Sequence, residues 1–190
     1  MKIEVSAGFI LLAALVYFFD MEGLTAVFLP AVAAHELGHV LAIRMLGGRT
    51  VLLEFTSAGL KMDYAGYLSP RGELLCAVAG PAFGIALAFG ASVLGRFFGS
   101  EYLLCMSGVS IILSLFNLLP ASPLDGGMIL SILLKAEIRE AVLFVTTLLT
   151  AALLIAVGLF TASRGLGAAT IPAGIWLLAL MSGRDKPPNR

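Results

Sequence analysis

The sequence predicts an all-α polytopic membrane protein of about six transmembrane helices, with a three-helix core and a small β-hairpin at the membrane surface. Of its 190 residues, 59% are hydrophobic and 13% are charged, and the mean hydropathy is strongly positive. Apolar runs near the length of a bilayer span, about 20 residues, alternate with short polar segments. This composition excludes a water-soluble globular protein, and the whole chain, 1–190, is predicted to form one integral membrane domain.

The first two predicted spans are separated by a short acidic turn. Span one covers about 6–19, and because no small-residue cleavage site follows it, we expect it to stay in the protein. Span two runs from Leu24 to Leu46 and ends at Gly47-Gly48. Pro30 within this span removes a backbone hydrogen bond, so a bend in the helix is expected near it.

The segment after span two changes from an apolar helical pattern to a strand pattern. Val51–Thr56 and Leu60–Tyr64 are joined through Gly59, and the second piece alternates apolar and polar residues. This pattern predicts a β-hairpin at the membrane surface. An open strand edge could hold an extended peptide as an added strand, and a purely structural hairpin is the equal alternative.

Spans three and four differ in how they end. Span three begins after Pro70-Arg71-Gly72 and reaches about Leu94, and its small residues predict close helix packing. Span four begins near Tyr102 and is broken by two prolines and two glycines within Pro120–Gly127. Broken backbone at membrane depth is tolerated only where it is buried in protein or lines a wet cavity. We therefore expect Asp125 to lie in a cavity, before the helix resumes to about 134.

The last part of the chain predicts packing helices and a polar tail. A charged surface segment, 135–140, precedes spans five and six, at about 141–160 and 166–181, and the tail 183–190 is expected to be disordered. Ten of the twelve Lys and Arg residues fall on the side of the termini. The positive-inside rule then predicts a multi-pass protein of the cell membrane, with both termini and the opening of the site in the cytoplasm.

A candidate metal site lies within span two. His35 and His39 are the two histidines of the sequence, and residues four apart on a helix share one face, so both imidazoles can bind one Zn²⁺. Ionisable groups within a span cost about 2.5–3.5 kcal/mol each, and a metal ion would compensate that cost. One Zn²⁺ per chain is the predicted cofactor. Glu36, next to the first ligand, is the candidate general base toward a water.

The third metal ligand has to come from another part of the chain. A catalytic zinc uses three protein ligands and an open fourth position, and no third histidine exists. Asp125 is the best candidate because it is the intramembrane carboxylate on the broken helix, where Gly126-Gly127 permits close backbone approach. Cys76 and Cys105 are interpreted as small buried hydrophobic residues. Together with a zinc ion, the two histidines, Glu36 and Asp125 could hydrolyse a peptide bond within the membrane.

Asn117, at the start of the break, has two interpretations. Its amide could bind the substrate backbone or a developing oxyanion. Equally, it could satisfy neighbouring backbone carbonyls where the helix ends. The sequence alone leaves both roles open.

Together these motifs resemble the site-2 protease family of intramembrane zinc metalloproteases, peptidase family M50. Its members carry His-Glu-x-x-His on one span and an Asn-x-x-Pro-x-x-Pro-Leu-Asp-Gly-Gly-like stretch on a later one, here 35–39 and 117–127. The resemblance implies His35, His39 and Asp125 as zinc ligands and Glu36 as the catalytic base. It covers spans two to four, which would form a three-helix catalytic core at about 24–134.

The resemblance also carries expectations about subgroup and partners. With no PDZ insertion and no CBS domain, the chain is most similar to compact bacterial members, among them the sporulation protease that activates a tethered sigma factor. Substrates would be membrane-anchored regulatory proteins in the lipid bilayer, with regulatory membrane proteins or a second copy as candidate partners and no nucleic acid. Ala79-Gly80-Pro81 also looks like a family element, but members often carry an asparagine shortly after that proline. This chain has Phe83-Gly84 there, so the role of the stretch stays open.

The alternative is a zinc-binding membrane protein without protease activity, either a transporter or a catalytically dead relative that binds a tethered client. A transporter would be expected to carry more polar residues along spans five and six. A dead relative would usually have lost Glu36 or a ligand, and the sequence keeps them.

Substrate entry is predicted between spans one and six and the rest of the bundle.

Overall fold

The structure is a computed structural model that describes residues 2–7, 9–11, 14, 18, 20, 23–56, 59–165, 167–168 and 170–182. The chain divides into two compact units, Met1–Asn117 and Leu118–Arg190. The first unit contains the strands β1 (Lys2–Val5), β2 (Arg49–Thr56) and β3 (Gly59–Ala65) and the helices α1 (Leu24–Met45), α2 (Pro70–Phe98) and α3 (Glu101–Asn117). The second contains the helices α4 (Asp125–Leu133), α5 (Ala136–Ser163) and α6 (Thr170–Ser182).

The predicted fold class, helical with a small sheet, is confirmed. Among the described residues, three helices are long and apolar enough to cross a membrane, and they are α1 with 22 residues, α2 with 29 and α5 with 28. The helices α3 and α6 are apolar but shorter. Half of predicted span one lies outside the described residues; of its described positions, 7, 9–11, 14 and 18 are helical and 6 is not. The tail 183–190 lies wholly outside them.

The acidic turn before α1 caps that helix. The Asp20 carboxylate accepts hydrogen bonds from the backbone N–H groups of Leu24, at 2.7 Å, and Thr25, at 2.6 Å. These are among the first N–H groups of the helix, which have no partner within it. Hydrogen bonds from Thr25 and Leu24 lower the pKa of Asp20 below its ordinary value. The turn therefore fixes the position at which α1 begins.

The predicted hairpin is confirmed as the antiparallel pair β2–β3, and it belongs to a larger sheet. The strand β1 pairs in parallel with β2, from Lys2 opposite Leu52 to Val5 opposite Phe55, so the order is β1-β2-β3. The strand β1 was not predicted, because four alternating residues that lead directly into an apolar run resemble the charged start of a span. As a result β2 is the central strand, and β1 and β3 form the edges.

Small residues bring α2 against its neighbours in the first unit. The buried face of α2 contains Ala77, Gly80, Gly84, Ala88 and Ala91, in agreement with the predicted close packing. At Gly84 the nearest residues of α3 are Ser110 and Ser114, both fully buried. Close approach of backbones through small side chains is the usual way in which helices associate in a membrane.

The ends of α2 also differ from the prediction. The Ser69 hydroxyl accepts a hydrogen bond from the Gly72 N–H at 3.2 Å, and Gly99 ends the helix with a φ of 63°. The helix therefore continues past 94 to Phe98, and Arg96 lies in its last turn.

In the second unit, the predicted helix break is confirmed between α3 and α4, at 118–124. The predicted charged surface segment, 135–140, is exposed, but the helix of span five begins earlier than the predicted 141. α5 begins at Ala136, and the exposed charged residues form its first turns. Charged side chains are tolerated on an exposed helix end as well as in a loop, so composition alone could not show where α5 begins. The Thr170 hydroxyl donates to the Leu154 carbonyl at 2.9 Å and joins α6 to α5.

Candidate metal centre

The two histidines lie together on one face of α1, as their spacing predicts. The distance between the Nε2 atoms of His35 and His39 is 3.3 Å, and His35 is 4% exposed. Two nitrogens that each lie about 2.0–2.1 Å from one tetrahedral zinc are themselves about 3.3 Å apart. The spacing of the two Nε2 atoms thus fits a shared zinc ion.

A hydrogen bond from α2 orients the second imidazole. Nδ1 of His39 lies 2.7 Å from the carbonyl oxygen of Cys76. A carbonyl can only accept, so Nδ1 carries the proton and donates it, and Nε2 keeps the lone pair that a metal needs. The ring of His39 therefore presents Nε2 toward His35.

Glu36 follows His35 directly on α1 and is half-buried. Because α1 is continuous from Leu24 to Met45, the carboxylate is fixed to the same turn of helix as the two imidazoles. Neither Pro30, before the first histidine, nor Gly38, between Glu36 and His39, interrupts the helix. A half-buried carboxylate beside a metal site is suitable for proton transfer with a water molecule.

Asp125 opens α4, directly after the break, and is half-buried. The predicted close backbone approach at its two glycines is confirmed. A Cβ at Gly126 would meet the carbonyl oxygens of Leu118 and Leu119, and one at Gly127 would lie 2.5 Å from the carbonyl oxygen of Ala121. The first turn of α4 is thus pressed against the backbone of the break, which leaves no room for a side chain at either position.

The break is also held by α5. The Ser122 N–H donates to the Thr147 hydroxyl oxygen at 3.0 Å, and that hydroxyl donates to the Leu143 carbonyl at 2.6 Å. An open cavity of about 320 Å³ lies beside this contact. Its lining consists of Ser122, Pro123, Leu124, Gly127, Met128, Ser131 and Leu143. Neighbours of Asp125 line this cavity, and the placement of Asp125 itself in a cavity stays a prediction.

Asn117 is the last residue of α3, and its side chain turns back onto the helix. Its Nδ2 donates to the Leu113 carbonyl at 3.0 Å, which is the carbonyl-satisfying role considered for it. A role toward substrate stays a prediction.

The two cysteines differ from each other. Cys76 is buried, as interpreted, whereas Cys105 is exposed, so the interpretation of Cys105 is wrong. In an apolar span the outward face is as hydrophobic as the inward one, so hydrophobicity alone does not indicate burial.

Sequence reasoning missed two groups at the histidines, the Cys76 carbonyl and Gly80. A backbone carbonyl leaves no mark in a sequence. The one available signal was the stretch Ala79-Gly80-Pro81, whose role the sequence left open. Gly80 lies directly against the His39 ring.

Comparison with known proteins gives consistent matches. The model of Peptidase family M50 matches residues 98–159, which include Asn117 and Asp125. A putative zinc metalloprotease of Synechocystis sp. is 34% identical over 115 residues, which is 56% of this chain and 30% of that protein. A zinc metalloprotease of Methanocaldococcus jannaschii is 32% identical over 114 residues, 56% of this chain and 33% of that protein. The chain spans about a third of the length of these curated relatives.

The fold has a solved counterpart. The structure of the Site-2 Protease from Methanocaldococcus jannaschii matches with a TM-score of 0.70 and 20% identity, over 99% of this chain and 92% of that chain. The likeness shows a shared fold. Together with the family match, it confirms the resemblance to the site-2 protease family that the two motifs predicted.

Proposed function

We propose that this chain is an intramembrane zinc metalloendopeptidase of the site-2 type, which hydrolyses a peptide bond of membrane-anchored proteins. The observation that carries the proposal is the pair of imidazoles on α1. The Nε2 atoms of His35 and His39 have the spacing of two zinc ligands, and Glu36 is the next residue after the first of them. The site has the parts of a metal-assisted hydrolase, and its location on an apolar helix favours membrane substrates.

The donor set supports zinc. The two motifs supply His35, His39 and Asp125 as the donors of one metal ion. Two imidazoles and one carboxylate are a usual ligand set of catalytic zinc, and such sites keep a fourth position open. We assign Asp125 as the third ligand, with one zinc ion per chain.

The chain's own residues would then divide the work of peptide hydrolysis. Bound zinc supplies a Lewis acid that polarises the peptide carbonyl and makes a nearby water more acidic. The Glu36 carboxylate takes the proton from the attacking water and later delivers it to the leaving amine. Asn117 has a second N–H on Nδ2 besides the one that binds Leu113. That second N–H is the group proposed to hold the substrate backbone or the developing oxyanion.

The proposed substrates are membrane-anchored regulatory proteins, such as a tethered transcription or sigma factor or its inhibitor. Peptide hydrolysis within a bilayer requires a substrate that is itself in the bilayer, which favours anchored proteins over soluble ones. We further propose a multi-pass topology with both termini in the cytoplasm, supported by the distribution of Lys and Arg. Regulatory membrane proteins and a second copy of the chain are the proposed partners.

The test compares zinc content, by elemental analysis, with cleavage of a membrane-tethered substrate. It uses the native chain, Glu36→Gln and Asp125→Ala, with Glu101→Gln as the matched control, because Glu101 is exposed at the start of α3. We expect Glu36→Gln to retain zinc and lose cleavage by about 10²–10⁴-fold, Asp125→Ala to lose both, and Glu101→Gln to behave as native. Normal cleavage by Glu36→Gln, with zinc at one per chain, would contradict the proposed protease activity and indicate that the metal serves structure or transport.

A further inference from the structure

We infer that Gly80 is a positioning residue whose missing side chain forms the seat for the His39 imidazole, so that Nε2 of this ring is the metal-binding nitrogen. The inference rests on the proposed zinc centre and deepens it. It also gives a role to the stretch Ala79-Gly80-Pro81, which the motifs of the metal site leave unused.

Two groups of α2 contact the His39 ring, and we call them the wall and the anchor. The wall is Gly80, where the three atoms nearest to an added Cβ all belong to His39. They are Nε2, Cε1 at 2.6 Å and Cδ2 at 2.7 Å. The anchor is the Cys76 carbonyl, which binds Nδ1 at 2.7 Å. Residues four apart share one face of a helix, so the wall and the anchor meet the ring from the same side.

A second glycine sets the distance between the two helices at this point. Gly38 of α1 precedes His39, and a Cβ there would lie 2.9 Å from Cβ of Phe83 and 3.0 Å from the carbonyl carbon of Ala79. The backbones of α1 and α2 can therefore approach closely beside His39. Phe83, at the position where the sequence departs from the family pattern, is part of this contact.

The consequence of a side chain at Gly80 follows from these distances. A methyl group there would occupy the space of the ring, and closer than about 3.0 Å something must shift. The ring would have to rotate, which would break the hydrogen bond to Cys76 and turn Nε2 away from His35. Groups that orient a metal-ligating histidine typically change metal affinity about 10–100-fold when they are altered.

The first experiment measures Zn²⁺ affinity by chelator competition for the native chain in detergent and for three glycine-to-alanine variants of α2. We expect Gly80→Ala to bind Zn²⁺ about 10–100-fold more weakly and to change the visible absorption of bound Co²⁺. Gly90→Ala is the neutral control, because nothing lies within 4 Å of its Cβ. Gly84→Ala is the packing control, since its Cβ would meet the Ser114 hydroxyl instead of the histidine. It should lower the melting temperature and leave Zn²⁺ affinity unchanged.

The second experiment needs no metal. If the wall contacts only the imidazole, Gly80→Ala should lower the melting temperature of the native chain but not that of His39→Ala, where the ring is absent. An equal loss in both backgrounds would overturn the inference, as would native Zn²⁺ affinity in Gly80→Ala or an equal loss of affinity in Gly84→Ala. A native chain that binds no Zn²⁺ would instead contradict the proposed function, while the stability comparison would still decide whether Gly80 seats the ring.

Discussion

The Tyr102 hydroxyl donates a hydrogen bond to the Ala26 carbonyl oxygen at 3.0 Å. In a regular helix that carbonyl would accept from the N–H four residues later, but this position is Pro30, which has none. Tyr102, at the start of α3, thus replaces the bond that the proline removes from α1. The contact joins α3 to α1 at Ala26, which lies on the N-terminal side of Pro30 and His35.

Replacing Tyr102 with phenylalanine should therefore cost stability. Tyr102→Phe keeps the ring and removes the hydroxyl, so the Ala26 carbonyl loses its donor. We expect the free energy of unfolding to fall by about 0.5–1.5 kcal/mol, measured by denaturant titration in detergent micelles.

The proline provides the control for this prediction. In a Pro30→Ala background the helix supplies its own N–H to Ala26, so Tyr102→Phe should cost much less. An equal loss with and without the proline would show that the hydroxyl does not serve this carbonyl.

The cap at Asp20 should make stability depend on pH in the acid range. Hydrogen bonds from Thr25 and Leu24 lower the pKa of Asp20 in the folded chain below its ordinary value of 3.8. The folded state thus favours the carboxylate, and the stabilisation is present above pH 3.8 and lost as the pH falls through the lowered pKa. We expect Asp20→Asn to lower the melting temperature at pH 7 and to differ less from the native chain below pH 3.8.

Asp63→Asn is the control for the cap, since it removes a carboxylate from β3 instead of the helix start. Melting curves from pH 7 to pH 3 would reject the cap if the Asp20→Asn difference stayed constant over the whole range.

The sequence could predict that the two histidines meet, because metal-site chemistry restricts residue types and spacing. Two histidines four apart on a helix can meet one ion in few ways, and the structure places their Nε2 atoms together. The helix break was equally readable, since prolines and glycines exclude a straight helix. The hairpin was visible from alternation, but β1 was not, because its pairing with β2 is a long-range contact of four residues.

What the sequence could not supply were contacts made by backbone atoms and by missing side chains. The Cys76 carbonyl that orients His39 would be present whatever residue stood at 76. Gly80 looked like any small residue of a packed span, and only the structure shows that its neighbour is the ring of His39. The start of α5 at Ala136 was missed for a related reason, since charge marks exposure and not the end of a helix.

Thr147 should stabilise the break through its hydroxyl. The side chain is 2% exposed; its hydroxyl oxygen accepts from the Ser122 N–H, and its O–H donates to the Leu143 carbonyl. Thr147→Val keeps the shape and removes both bonds, so we expect the free energy of unfolding to fall by about 1–3 kcal/mol. Thr147→Ser keeps the hydroxyl and should lose less. If the serine variant were the less stable of the two, the methyl group and not the hydroxyl would be the important part.

Gly126 should be needed for the placement of Asp125. A Cβ at Gly126 would meet the Leu118 and Leu119 carbonyl oxygens and lie 2.5 Å from the Leu118 carbonyl carbon. These are backbone atoms, which cannot turn aside as a flexible side chain can, so the first turn of α4 would have to shift. We expect Gly126→Ala to lower the free energy of unfolding by about 1–3 kcal/mol and to reduce zinc content.

Gly108→Ala is the matched control for Gly126→Ala, because nothing lies within 4 Å of a Cβ at that exposed position of α3. Alanine favours a helix over glycine by about 0.8–1.0 kcal/mol, so this variant should be as stable as the native chain or more so, with native zinc content. The two variants add the same methyl group, so a difference in their stability or zinc content reflects how much space surrounds that methyl group at each position. If Gly126→Ala matched Gly108→Ala in both stability and zinc, the close approach at the start of α4 would not position Asp125.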